Sequence, residues 1–196
     1  MTAPAQILDL EPPVRQLTNF VAGVTDDQLS GSTPMAGTTV RGLLAHVQGL
    51  ALAFRDAADK AGSPAQDAAP GPGELDADWR TLIPARLAAL AAAWRKPEAW
   101  EGTTKVGGGT MPAAIAGQVA VDELVIHGWD LARSTRQPFG CDPASLQAAL
   151  EFVTRAQQPE HAGQAGLFGP PVEVPPGAPL IDQIIGLSGR DPSWPP

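Results

Sequence analysis

Tyrosine is absent from this sequence, lysine occurs three times, cysteine once, and histidine only at His46, His127 and His161. Each scarcity excludes something. Aromatic residues make up 5% of the chain, and β-branched or aromatic runs that would read as several strands are missing, which argues against a sheet-based fold. A single cysteine, Cys141, cannot form an internal disulfide and rules out every cysteine-rich zinc site. It sits in the turn-like stretch Phe139-Gly140-Cys141-Asp142-Pro143 with no histidine near in sequence, and reads as a bystander thiol rather than a nucleophile. The longest apolar stretches, around Leu43 to Phe54 and Ala113 to Ile126, are interrupted by polar groups and fall short of a membrane span. Met1 to Leu10 has neither a positive n-region nor a long apolar h-region, so no signal peptide is expected. Ten scattered arginines and three lysines face 21 acidic residues, for a formal net charge of −8. That balance disfavours nucleic acid and anionic membranes as partners. The expectation is a cytoplasmic protein; its oligomeric state is not legible.

What the chain does have is length and alanine. Its 196 residues suit one domain with a small appendage and a real hydrophobic core. Alanine runs such as Ala88 to Ala93 favour helices. The pattern predicts a first helix over roughly Pro4 to Val24, with Leu17, Phe20, Val21 and Val24 on one face and Pro12-Pro13 marking a start or restart. A second helix opens at Thr38 or Thr39 as cap and carries Val40, Leu43, Leu44, Val47, Leu50, Ala51 and Phe54. Gly62 and Pro64 end it, and residues 63–73 read as a Pro/Gly/Ala linker. A third helix is expected from about Leu75 to Trp94, kinked or starting late because of Pro84. Gly107-Gly108-Gly109 reads as a flexible turn, since no Gly-Lys-Ser/Thr ending follows and no strand is evident before it. Thr110 as cap and Pro112 in the first turn open a fourth helix that reaches about Ser134, and a fifth spans Asp142 to Gln157. The Pro/Gly-rich remainder offers Val172 to Val174 as a short strand and Pro179 to Leu187 as a short helix. The fold class expected is all-α: an up-and-down four-helix bundle over residues 1–140, with residues 141–196 as an extra helix and irregular tail packed on the same domain.

His46 and His127 fall on predicted helices among apolar neighbours, whereas His161 lies in the Pro/Gly-rich tail. Alone, either helical histidine reads as a satisfied core or edge residue. Glu123-Leu124-Val125-Ile126-His127 changes the balance. Residues four apart on a helix project to one side, so this carboxylate and imidazole can grip one ion together. An unpartnered Glu in so apolar a segment is costly. A surface Glu–His pair, worth a few tenths of a kcal/mol, is the plainer alternative. His46 supplies a third ligand if the second helix packs beside the fourth. Two nitrogens and one carboxylate oxygen suit Zn²⁺ or a similar divalent ion, with a fourth position left to water. Asp122 is five residues from His127 and points away. Asp130, three beyond His127, is placed to orient the imidazole from outside the ligand set, or to pair with Arg133 or Arg41. Trp129 reads as packing.

Two stretches carry a resemblance. Thr33-Pro34-Met35-Ala36-Gly37-Thr38-Thr39-Val40-Arg41-Gly42-Leu43-Leu44-Ala45-His46-Val47 is similar to the pattern T-P-C-x-G-W-T-V-R-D-L-L-A-H-V, and Glu123-Leu124-Val125-Ile126-His127-Gly128-Trp129-Asp130-Leu131-Ala132 to E-L-V-V-H-G-W-D-L-A. Both patterns belong to actinobacterial proteins related to mycothiol-dependent maleylpyruvate isomerase, in the DinB-like metal-binding superfamily. The tail, from Phe168-Gly169-Pro170-Pro171-Val172 to Gly189-Arg190-Asp191-Pro192-Ser193-Trp194, resembles the ending of that subgroup. The resemblance implies a four-helix bundle with a divalent metal, zinc foremost and nickel or iron as alternatives, bound by His46, Glu123 and His127. It also implies mycothiol as a thiol cofactor, and isomerase or S-transferase chemistry on a small electrophile. Met35, Thr38 and Gly42 depart from the usual Cys, Trp and Asp, which puts the substrate, though not the ligand set, in question. The chain is shorter than the two-domain isomerase, so the specific isomerase reaction is not carried over. Two other readings stay open: a metal-dependent hydrolase of the same fold, and a non-catalytic metal-binding protein.

Overall fold

The computed structural model describes residues 7–67, 73–158 and 168–195. Three of the helices begin where a side chain caps the first amides or proline dispenses with them. α1 (Glu11–Ala22) carries Pro12 and Pro13 in its first turn, where a missing N–H costs nothing. The same prolines explain why the helix does not extend upstream towards Pro4 as expected: neither can donate to a preceding carbonyl. α2 (Val40–Asp59) is capped by Thr39, whose hydroxyl accepts from the Gly42 amide at 3.2 Å, and it stops at Lys60 in the left-handed conformation. The predicted linker contains a single turn, α3 (Pro64–Asp67). α4 (Trp79–Trp94) starts later than Leu75, with Pro84 in its second turn. α6 (Pro143–Ala156) is capped by Asp142, which accepts from the Ser145 amide at 2.9 Å.

Between α4 and α5 the structure corrects the sequence reading. β1 (Thr103–Val106) and β2 (Gly109–Pro112) form an antiparallel hairpin, with Thr103 opposite Pro112 and Val106 opposite Gly109. Gly107 and Gly108 both take positive φ, 60° and 77°, as a two-residue hairpin turn requires. Thr110 is therefore a strand residue and not a helix cap, and α5 (Ala113–Ser134) begins directly after Pro112. The expected strand at Val172 to Val174 does not form. The Val172 amide instead donates to the Gly186 carbonyl of α7 (Leu180–Leu187) at 2.9 Å.

The predicted third and fourth helices are thus α4 and α5. α1 packs on both α4 and α5, and α2 packs on the same two, so α1 and α2 stand diagonally across a four-helix bundle. α6 covers the outer side of α5, and α7 lies against α6. One continuous core includes Leu17, Leu43, Leu87 and Leu124 of the bundle, Phe152 and Val153 of α6, and Ile184 and Ile185 of α7. The architecture is helical apart from the hairpin, as the sequence implies. α5 is enclosed on nearly every side. From Val119 to Ala132, Glu123 is the single residue that is not buried.

Gly117 shows how tightly α5 is held. A Cβ there would stand 2.4 Å from the Trp100 ring and 2.9 Å from that of Trp94. The two indoles pack edge-on at 4.9 Å, and their Nε1–H groups donate to the carbonyls of Trp94 and Phe54. Alanine in a helix interior ordinarily gains up to about 1 kcal/mol over glycine. Here overpacking against two anchored rings outweighs that gain, so Gly117→Ala should lower stability by roughly 1–3 kcal/mol in a urea titration. Equal or greater stability would show that the rings can move aside.

Candidate metal centre

The fourth turn of α5 would be a poor place for a carboxylate without partners, since its neighbours Leu124, Val125 and Ile126 are all buried. Helical geometry supplies the first partner. His127, one turn on, brings its Nε2 to 2.9 Å from Oε2 of Glu123. α2 supplies the second. Its neighbouring face carries His46, whose Nε2 lies 3.5 Å from the same oxygen. The two imidazoles meet edge to face, with centroids 4.7 Å apart. One donor atom from each residue lies within 4.8 Å of the other two, and among the described residues no further His, Cys, Asp or Glu joins the group. Two ligand atoms each about 2.1 Å from a tetrahedral ion stand about 3.4 Å apart. The observed separations of 2.9 and 3.5 Å bracket that spacing. The donor set, two imidazole nitrogens and one carboxylate oxygen, suits a divalent transition ion with one position free. Glu123 keeps 24% of its side-chain exposure, so the cluster is open to solvent on that side.

The electrostatics match. Burial alone would raise Glu123, but the hydrogen-bonded His127 and His46 hold its carboxyl well below the usual carboxylate range. Burial alone would lower His127, yet Asp130 and Glu123 reverse this and push it up to about 9. Asp130 is fully buried, and its Oδ2 lies 3.0 Å from His127 Nδ1. Of the partners expected for Asp130, Arg41 and Arg133, neither pairs with it. Arg133 donates to the Trp194 carbonyl at 2.7 Å and reaches over the Trp129 ring. Asp130 is gripped instead by Arg190, through Nε at 2.8 Å and Nη2 at 3.0 Å. Asp122 lies outside the cluster, fully buried, and burial together with Glu123 pushes its carboxyl well above the ordinary value. Trp129 is core packing, as expected. Cys141 is pushed up to about 12 by burial and by Asp142, and so is a poor nucleophile. His161 lies outside the described residues.

Sequence reasoning missed Arg190. It is 60 residues from Asp130, and no local spacing links the two. The signal that was available lies in the tail motif Gly189-Arg190-Asp191-Pro192, an arginine in an otherwise apolar and turn-forming ending.

Comparison with known proteins bears on the family and the fold. The family described as "Mycothiol maleylpyruvate isomerase N-terminal domain" matches residues 10–132. An uncharacterized protein of Mycobacterium tuberculosis, found in strains CDC 1551 / Oshkosh and ATCC 25618 / H37Rv, is 28% identical over 174 residues, covering 87% of this chain and 90% of the relative. Two crystal structures of the mycothiol-dependent maleylpyruvate isomerase, one of them a histidine-to-alanine mutant, superpose with TM-scores of 0.54 and 0.59 at 20% identity. They cover 74% of this chain, which spans 66% of the isomerase's length, and the likeness is one of fold.

The coupled charges set a pH dependence for the metal-free protein. His127 is raised in the folded state, so its contribution is complete below about pH 6.5 and is lost as pH rises through about 9. Glu123 is lowered, so its contribution is present above its unfolded value and fades only in acid. With chelator present, urea midpoints should therefore fall between about pH 6.5 and about 9, and His127→Gln should flatten that decline. A parent midpoint that is level across this window would contradict the charge arrangement.

Proposed function

The chain belongs to the mycothiol maleylpyruvate isomerase N-terminal domain family, and from that premise we propose that it is a metal-dependent, thiol-using enzyme. Its substrate would be a small electrophile, isomerised or joined to the thiol, with mycothiol as the family's cofactor. The observation that carries the reading is the convergence of His46, Glu123 and His127 on one solvent-open point. A divalent ion held there, zinc by preference for this donor set, would supply the Lewis acidity that keeps a thiol as thiolate at neutral pH.

The chain's own residues divide the remaining work. Glu123 contributes the negative charge and turns it towards both imidazoles. His46 and His127 present Nε2, and Asp130 accepts the Nδ1–H of His127, which leaves Nε2 as the free lone pair. Leu43, Leu44, Val47, Val125 and Ile126 are buried on the two helices that carry the donors, and they keep water from the helix–helix seam. A thiol approaching from the Glu123 side meets the site's open face. The α2 entrance is built differently from the family pattern. Met35 packs against the core, and the Thr38 carbonyl accepts from both the amide and the hydroxyl of Thr33. That loop borders the helix bearing His46, so it is where a substrate preference distinct from the isomerase's would arise.

Elemental analysis of the purified protein should give one divalent metal per chain, and His161→Ala should leave it unchanged. Glu123→Gln keeps the shape and removes the charge. It should weaken metal binding by more than the roughly 10–100-fold typical of changes outside the ligand set. Folding should suffer less, because α2 and α5 remain joined through the buried core. In a cobalt-substituted form, adding a low-molecular-weight thiol should shift the visible spectrum. Hydrolysis of an ester or amide without thiol would favour the hydrolase, and a metal inert to thiols the non-catalytic protein. If His46→Ala/His127→Ala still binds one metal per chain, the centre lies elsewhere.

A further inference from the structure

The tail reaches the centre through a helix ending that leaves little freedom. α7 closes with the Gly189 amide donating to the Gly186 carbonyl at 3.0 Å and the Arg190 amide to the Ile185 carbonyl at 3.1 Å. Gly189 has φ +81°, and this pairing is the Schellman ending. A Cβ at Gly189 would come within 2.8 Å of the Gly169 backbone, so the turn is also pressed against the irregular segment around Gly169. The backbone at Arg190 is thereby aimed inward. Its guanidinium spans both oxygens of Asp130, at 2.8 and 3.0 Å, while Nη1 donates to the Ser188 hydroxyl at 3.2 Å. Asp130 Oδ2 is the atom 3.0 Å from His127 Nδ1. Four groups thus run in line from solvent-open site to tail: Glu123, His127, Asp130, Arg190.

We propose that Arg190 is a positioning residue for His127: by pinning both oxygens of Asp130 it fixes the acceptor for Nδ1–H, and so fixes which imidazole nitrogen faces Glu123 and His46. The inference rests on the reading of these three residues as metal ligands. A carboxylate held by one partner can rotate about its Cβ–Cγ bond. One held through a planar fork cannot rotate without breaking two charge-assisted hydrogen bonds. Lysine offers a point charge and no fork, so charge and orientation are separable by substitution. The tail does not depend on this contact alone for docking. Ile184 and Ile185 are fully buried in the common core, and the Trp194 carbonyl accepts from Arg133 of α5.

The test uses the full chain with zinc, comparing the parent with Arg190→Lys and Arg190→Met. Two quantities are read: zinc affinity by competition with a chromogenic chelator, and the Nδ1–H proton resonance of His127 in the zinc-loaded, ¹⁵N-histidine-labelled protein. Arg190→Met should weaken zinc binding on the order of 10–100-fold, with a smaller loss for Arg190→Lys, and in both the Nδ1–H resonance should exchange faster with water. If Arg190→Met does not fold, Arg190→Lys alone supplies both readouts. Parent-like affinity and an unchanged resonance, whether or not the melting temperature drops, would reduce Arg190 to a tail anchor and overturn the proposal. A parent protein that binds no zinc would instead overturn the metal reading, and this inference with it.

Discussion

A carboxylate placed in the most enclosed helix of the bundle must be neutralised where it stands, and the neighbourhood of Glu123 is organised by that need. Leaving such a charge unpaired costs several kcal/mol, more than most single contacts return. One histidine cannot serve by itself, because an imidazole buried at 7% side-chain exposure resists carrying charge as well. The structure extends the chain of alternating charge instead. Glu123 faces His127 and His46, His127 faces Asp130, and Asp130 faces Arg190. Each member relieves the cost of the one before it. Both ends of the series keep some contact with solvent, Glu123 at 24% and Arg190 at 14% side-chain exposure, while His127 and Asp130 between them are buried.

The fold contributes rigidity to this arrangement. All three candidate ligands and Asp130 stand on helices, none on a loop, and α5 is wedged between α1, α2 and α6. The Trp94–Trp100 pair closing on Gly117 fixes the axial position of α5 two turns before Glu123. The Thr39 cap fixes the start of α2 two turns before His46. Ligand positions built this way vary little, and a metal centre needs placement to within a fraction of an ångström. The segment ahead of α2, where Met35 and Thr38 depart from the family pattern, has its backbone held by turn hydrogen bonds, and the third departure, Gly42, lies in the first turn of α2.

Much of this was legible in the sequence, for a definite reason. The 3.6-residue period of Leu43, Leu44, Val47 and Leu50, and the fourfold step from Glu123 to His127, are local signals, and local signals survive into the fold. A start of α2 at Thr38 or Thr39 and a start of α6 near Asp142 were readable on the same basis, and Thr39 and Asp142 prove to be the caps. The hairpin was not. Thr103 to Val106 is four residues long, its only strand signal is β-branching, and Gly107-Gly108 could as well have been a flexible link. The missing strand at Val172 to Val174 errs the other way, since β-branched residues there are held by α7 and find no ladder. Arg190 was out of reach because its meaning is purely tertiary. Nothing within ten residues of it needs a buried guanidinium, and the residue that does is on α5.

The two histidines do not stand on equal terms, and this asymmetry follows from where the charge chain runs. His127 is held from behind by Asp130, and through it by Arg190, so its orientation is fixed by folding. Among the described residues His46 has no counterpart to Asp130, and its recorded polar contact is with Glu123 alone. His127 is thus oriented through both of its ring nitrogens, whereas His46 is oriented by Glu123 and by the edge of the His127 ring. Ordering a side chain costs free energy at the moment of binding unless folding has already ordered it. Folding orders His127 through more contacts than His46, which stands on the helix whose approach segment departs from the family pattern. The geometry is therefore asymmetric: the α5 imidazole is held from behind by Asp130 and the tail, and the α2 imidazole by the cluster itself.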